Sequence, residues 1–150
     1  MKTIWKGLAL IGVFVAGITS VLFLQPYLFD GDGTGNGNGA APKTITNVTL
    51  ILDYENGTVD ILEDISITGM DPSIYDLLVQ NCSSVEHDDY GWDVLVTGLN
   101  GRNAGGGKSW FVFVNREYAS VGSKQYSLEN DDIIEWQFLG KAWDYSPVPL

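Results

Sequence analysis

Beyond residue 42 only one stretch of the chain has the period of a helix, and the patterned segments on both sides of it have the period of strands. "MDPSIYDLLVQN", Met70 to Asn81, sets Ile74, Leu77 and Leu78 at i, i+3, i+4 spacing. Asp71 is placed to cap it, and Pro72 suits a first helical position. Upstream, Val48, Leu50, Leu52 and Tyr54 alternate with Thr49, Ile51 and Asp53; Asn56-Gly57 then marks a hairpin turn, and Val59, Ile61, Ile65 and Ile67 form the return strand. Downstream, strands are expected over Trp92 to Leu99, Trp110 to Asn115, a short piece near Tyr126-Ser127-Leu128, and Ile133 to Phe138, where Ile134, Trp136 and Phe138 share a face. A hairpin, one helix and further strands imply an α+β domain over residues 43–150, a β-grasp-like mixed sheet with one packed helix. One helix covers one face. Phe111 and Phe113 point to one side of their strand and Trp110 and Val112 to the other, so part of this aromatic surface needs another cover or stays open.

The first 29 residues have a different character. Lys2 and Lys6 precede an uncharged run from Gly7 to Phe29, interrupted only by Gln25 and Pro26, long enough for the roughly 20 apolar residues that cross a bilayer. A cleaved signal has a shorter apolar core of about 7–15 residues before a small-residue site. Residues 1–29 are therefore expected to be a single transmembrane signal anchor, with a secreted form if the signal is cleaved at small residues such as Ala16-Gly17. The lysines before the run and Asp30 and Asp32 after it keep the N-terminus cytoplasmic and put the domain outside the cell membrane. "DGDGTGNGNGAAP", residues 30–42, is a glycine-rich flexible linker. Its Asp30-x-Asp32-x-Thr34-Gly35 start imitates a calcium loop, but Ala41 stands where the bidentate acid belongs.

Charge narrows the partners. Two of the 8 basic residues lie before residue 30 and all 19 acidic ones from Asp30 onward, so the exported part carries a net −13. Such a surface repels phosphates, which excludes nucleic acid. Cys82 is the only cysteine, so no internal disulfide can form. It shares "NCSSVEHDDY" with the only histidine, His87; a nucleophilic pair in a polar loop, or a zinc site completed by carboxylates, is weaker than the reading without chemistry. Asp131, Asp132 and Glu135 read as a solvated acidic turn. Asn47, Asn56 and Asn81 open glycosylation sequons. "GRNAGGGKSW" resembles half a phosphate-binding loop. Gly101 is one residue out of register, however, and the aromatic run Trp110 to Val114 that follows is a strand, not the helix that would aim N–H groups at a phosphate.

Residues from Asn100 to Trp136, "LNG…GGGKSWFVFVNREYASVGSKQYSLENDDIIEW", are similar to the transcobalamin-like C-terminal domain family, which also occurs in prokaryotic surface proteins of unassigned function. The matching positions include Asn100, Gly101, Trp110, Asn115, Tyr118, Gly122, Tyr126, Asp132, Glu135 and Trp136, and "VTLILDYENGTV" resembles the family's first hairpin. Arg116 stands where glycine is usual, and Asp131 replaces the glycine before Asp132; Asn and Asp tolerate the left-handed turn geometry those positions need. The resemblance implies the β-grasp fold and a corrinoid, cobalamin, as the most concrete ligand. The helical barrel that completes the corrinoid clamp in animal carriers has no counterpart in this chain.

Aromatics near loops are available to ligands more often than those inside strands. The expected ligand-binding set is Tyr90, Trp92, Trp110 and Tyr118, with Gly105, Gly106 and Gly107 letting a partner approach the backbone. Trp110 lies in a strand, where most aromatics are core. No catalytic and no metal-ligating constellation is legible, and no cofactor is implied beyond cobalamin as a ligand. The expected function is a membrane-anchored extracellular binding module, not an enzyme, for a corrinoid or for a surface protein or glycan. The alternative is a cell-surface adhesion or assembly subunit that pairs through a sheet edge. The tail "KAWDYSPVPL" packs back on the domain or docks elsewhere; its sequence does not decide.

Overall fold

The computed structural model describes residues 41–150. The anchor expected over 1–29, and all but the last two residues of the 30–42 linker, lie outside the described residues. Among the described residues no helix is long and apolar enough to cross a membrane.

The architecture is the expected mixed-sheet α+β arrangement with one α-helix. β1 (Lys43–Asp53) and β2 (Val59–Gly69) form an antiparallel hairpin, with Ile45 opposite Ile67 and Ile51 opposite Ile61. The register shifts on either side of Val48, close to Asn47 and Asp64, both of which take positive φ. β8 (Ile133–Leu139) runs parallel to β1 and antiparallel to β6 (Ser109–Val114), and β7 (Glu117–Tyr118) ends the sheet in the order β2-β1-β8-β6-β7. A second sheet, which the sequence reading lacked, holds β3 (Val85–Asp89), β4 (Val94–Leu99) and β5 (Arg102–Asn103). β3 occupies the segment read as a polar loop. With four of its five residues exposed, it has no apolar alternation to announce a strand.

The alternation in β1 sets the core. Val48, Leu50, Leu52 and Tyr54 turn inward beside Ile134, Trp136 and Phe138, and α1 (Ile74–Asn81) adds Ile74, Leu77 and Leu78. Val96 and Leu99 of β4 close the same cluster. Helix α1 starts later than expected: its N-cap is Ser73, not Asp71. Ser73 Oγ accepts from the Asp76 N–H while the Asp76 carboxylate accepts from the Ser73 N–H at 2.9 Å, a reciprocal capping box. Asp71 instead accepts from Ser127 Oγ at 2.7 Å and pairs with Lys43; these contacts lower its carboxyl below the usual range. The piece near Tyr126 is reduced to one bridge, Ser73 to Ser127, though Leu128 is fully buried.

The face of the large sheet away from α1 is closed by the tail. After a 3₁₀ turn at Ala142–Asp144, Tyr145 stacks on Phe113 with ring centroids 3.8 Å apart. Ser146 and Val148 hydrogen-bond with Gln137 and Glu135. The acidic turn expected near the C-terminus is therefore not solvated. Glu135 is 0% exposed, and its carboxylate accepts from Arg116, Gln137, Tyr145 and the Val148 N–H. Asp132 is buried on accepted bonds from Asn115 Nδ2 and the Glu129 N–H, both at 2.9 Å. A buried carboxylate persists only when its lone pairs are filled in this way.

Candidate functional site

Three separated segments build a large apolar concavity. The β3–β4 connection is a four-residue turn, Tyr90 to Asp93, closed by the Tyr90 N–H donating to the Asp93 carbonyl at 2.9 Å. Gly91 takes the positive φ that such a turn needs, 84°, which leaves Tyr90 and Trp92 projecting from the loop. The loop after β7 brings Val121 and Ser123, and Tyr118 arrives at the end of the β6–β7 hairpin. Between them lies a cleft of about 550 Å³, walled by β4 and β6. That volume lies in the range of small-molecule sites.

The rim is unusually apolar for solvent-facing surface. Trp92 is 71% exposed, Tyr90 59% and Tyr118 58%, and Leu95 and Val121 are exposed beside them. Single exposed hydrophobic residues are ordinary; five converging on one cleft mark a contact surface. Asp93 holds the turn end of the cleft. Its Oδ1 accepts from the Val94 N–H at 2.8 Å and the Lys124 N–H at 3.0 Å, and its carboxylate lies so close to Gly122 that no side chain fits there. This accounts for a glycine at 122 without invoking backbone freedom. Two buried polar atoms of cleft-lining residues, Ser123 Oγ and Trp136 Nε1, have no hydrogen-bond partner among the described residues. Groups of this kind are few in native proteins and cost more than a made bond contributes.

Of the expected contact residues, Tyr90, Trp92, Trp110 and Tyr118 meet at this cleft, but not on equal terms. The Trp110 ring belongs to the core: it is 4% exposed, packs edge-on against Tyr54 and Phe138, and donates from Nε1 to the Arg102 carbonyl at 2.7 Å. Gly105, Gly106 and Gly107 do not line the cleft. They make a tight turn in which Gly105 and Lys108 bond each other's backbones and Lys108 pairs with Glu55. Sequence reasoning passed over Asp93, Ser123 and Trp136. Asp93 and Ser123 fall in segments with no period, and the Trp136 signal, an inward position on β8, is the signal of any core residue.

The motif positions carried by the resemblance are mostly structural. Asn100 accepts from the Ser83 N–H at 2.7 Å and donates to Tyr54 Oη at 2.7 Å. Asn115 donates to Asp132 and accepts from the Ile133 N–H. Arg116 and Asp131 adopt the left-handed geometry expected at their turns, with φ of 74° and 67°. Arg116 sets its roughly 1–3 kcal/mol of backbone strain against an ion pair with buried Glu135 at 3.1 Å. Burial, with a smaller contribution from Asp60, pushes the Cys82 thiol up to about 11, which keeps it protonated near neutral pH. The side-chain partner of His87 is Tyr75 Oη, 3.1 Å from Nδ1. No group of three or more His, Cys, Asp and Glu among the described residues is placed to hold a metal ion.

Residues 71–140 match a family described only as a domain of unknown function (DUF4430). No curated protein matches the sequence. Among solved structures, a candidate metal-binding protein from Ruminococcus gnavus ATCC 29149 superposes with a TM-score of 0.53 at 14% identity; the match covers 62% of this chain and 95% of that one. Haptocorrin in complex with Cbi matches with a TM-score of 0.47 at 17% identity over 69% of this chain, which spans 27% of the haptocorrin chain. At these identities the first likeness is one of fold alone, and the second is too weak to carry an argument.

Proposed function

We propose that this domain is a binding module whose site is the cleft between β4 and β6, with Tyr90, Trp92 and Tyr118 as its contact residues. The observation that carries this reading is the convergence of those exposed aromatics on one apolar cleft with unpartnered polar atoms at its lining. Rigid aromatic rings supply large contact area at low entropic cost, and a few polar groups fix orientation. The central pairing, β1 parallel to β8 with β2 and β6 outside them, is read as a β-grasp. With residues 1–29 as an anchor and the glycine-rich segment as spacer, the module stands outside the cell membrane and binds without catalysing. The sequence resemblance makes a corrinoid the most concrete small-molecule ligand.

Titration of the full chain with cobalamin and with cobinamide, followed by calorimetry and tryptophan fluorescence, tests the corrinoid. The expected outcome is saturable micromolar binding, lost on Trp92→Ala with the fold intact. No heat and no quenching at millimolar ligand sinks the corrinoid. A second reading, an adhesion or assembly subunit that works through protein contacts, is favoured by a specific observation: the strands that wall the cleft present their edges to it.

A further inference from the structure

The residues bordering the cleft are consecutive on both walls, Val94 to Val96 on β4 and Ser109 to Val112 on β6. A strand that offers a face contributes every second residue, because its side chains alternate; one that contributes every residue offers its edge. Both edges are free of a neighbouring strand along this length. On the cleft side of β6, β7 pairs no earlier than Phe113, and the last bond beyond it runs from the Ala119 N–H to the Val112 carbonyl at 3.1 Å. In an antiparallel strand both backbone groups of a residue point the same way, and residues two apart agree. Trp110 therefore turns its N–H and C=O toward the cleft. On β4, the pairing with β5 stops at Gly98, and the Ala104 N–H takes the Thr97 carbonyl at 2.6 Å. Val94 and Val96 lie beyond that pairing, and the only bond found on the edge there is the Asp93 side chain accepting from the Val94 N–H.

We propose that the cleft receives an extended peptide segment of a partner protein as an added strand on the free edge of β6, on the side that faces β4. This inference rests on the reading of the cleft as the binding site, and it names the chemistry of the occupant. The β6 edge offers backbone hydrogen bonds, which a flat small molecule cannot use in series and a peptide can. A segment of about four residues, at ~3.3 Å each, spans ~13 Å, the length of the four-residue β6 wall. Its outward side chains meet Trp92, Tyr90 and Tyr118, so alternate apolar residues are required. The described residues carry 6 basic against 17 acidic side chains, which favours a neutral or basic segment over an acidic one.

The test begins with amide hydrogen exchange by NMR on the full chain. The Trp110 amide is expected to exchange at least about tenfold faster than those of Phe111 and Phe113. Equal protection overturns the inference, because the edges are then not free. A phage-displayed random dodecapeptide library is next selected on the same chain. Supporting peptides slow the Trp110 amide and lose about tenfold or more in affinity when N-methylated at alternate residues. Peptides indifferent to N-methylation overturn the inference, since only side chains would then hold them. Corrinoid binding lost on Trp92→Ala with no peptide selected overturns the added strand and leaves the cleft as a small-molecule site. Neither ligand bound overturns both.

Discussion

Glu135 and Trp136 are neighbours on β8, both buried, and they point to opposite faces of the same sheet. On the Glu135 side the chain supplies every partner: Arg116, Gln137, Tyr145 and Val148 all donate to one carboxylate. On the Trp136 side α1 and β4 cover most of the face; the buried indole N–H has no partner, and Trp136 also borders the cleft rimmed by exposed aromatics. The difference teaches where to look for function. A face that the chain has closed with its own tail is a matter of stability, whereas a face left with unspent donors and apolar surface is where something from outside the chain fits.

The largest expected effect is on the closed side. Deleting residues 141–150 removes Tyr145, Ser146 and Val148 together and leaves Glu135 short of partners. The expected loss is about 3–5 kcal/mol in urea unfolding, the range for breaking a buried charge network. A loss below about 1 kcal/mol would mean that the tail merely rests on the sheet. Glu135→Gln keeps the shape and removes the charge; it should cost roughly 1.5–3 kcal/mol, because the bonds lost are charge-assisted. Tyr145 links this side to pH. Burial, then its bond to Glu135, holds the phenol above the ordinary tyrosine range. Because the folded value is the raised one, the stability it contributes is complete below the unfolded value near 10 and is lost as pH climbs beyond it. Tyr145→Phe should flatten the decline of stability above pH 10 in a pH series of unfolding curves.

On the cleft side the expected stability effects are smaller, and that contrast is the sharper test. Trp136→Phe removes a donor that has no protein partner but also part of a buried indole, so a cavity cost of about 1–2 kcal/mol is expected and nothing more for the donor. A loss above about 3 kcal/mol, more than the cavity accounts for, would show that the indole N–H is satisfied, and the asymmetry between the faces would fail. Trp92→Ala should change the unfolding midpoint by no more than about 0.5 kcal/mol equivalent, as for other exposed substitutions, while abolishing ligand binding.

Much of the fold was legible because its signals are local. The alternation of Val48 to Tyr54, the Asn56-Gly57 turn and the Ile74, Leu77, Leu78 spacing each describe a few adjacent residues and need no partner to be read. The misses share a cause as well. β3 has too little apolar patterning to appear as a strand, yet it is held by pairing with β4. Ser73 displaced Asp71 as the helix cap because a reciprocal bond with Asp76 outweighs a single cap. The glycine triplet drew attention as a possible site and serves as a turn, since nothing in its own composition says which surface it faces. Asp131, Asp132 and Glu135 look alike in sequence, and only packing separates the exposed one from the two that are buried.

By itself the sequence determined a strand-rich α+β domain with one helix, an acidic surface, and the opposite orientations of Glu135 and Trp136, because periodicity and charge are properties of the chain alone. The tertiary structure decided that the tail returns to cover Phe113, that Tyr90, Trp92 and Tyr118 converge, and that two strand edges border one cleft. Those outcomes depend on contacts between residues far apart in the chain, such as Asp93 with Gly122 and Lys124, and no local pattern encodes which distant segment will complete a surface.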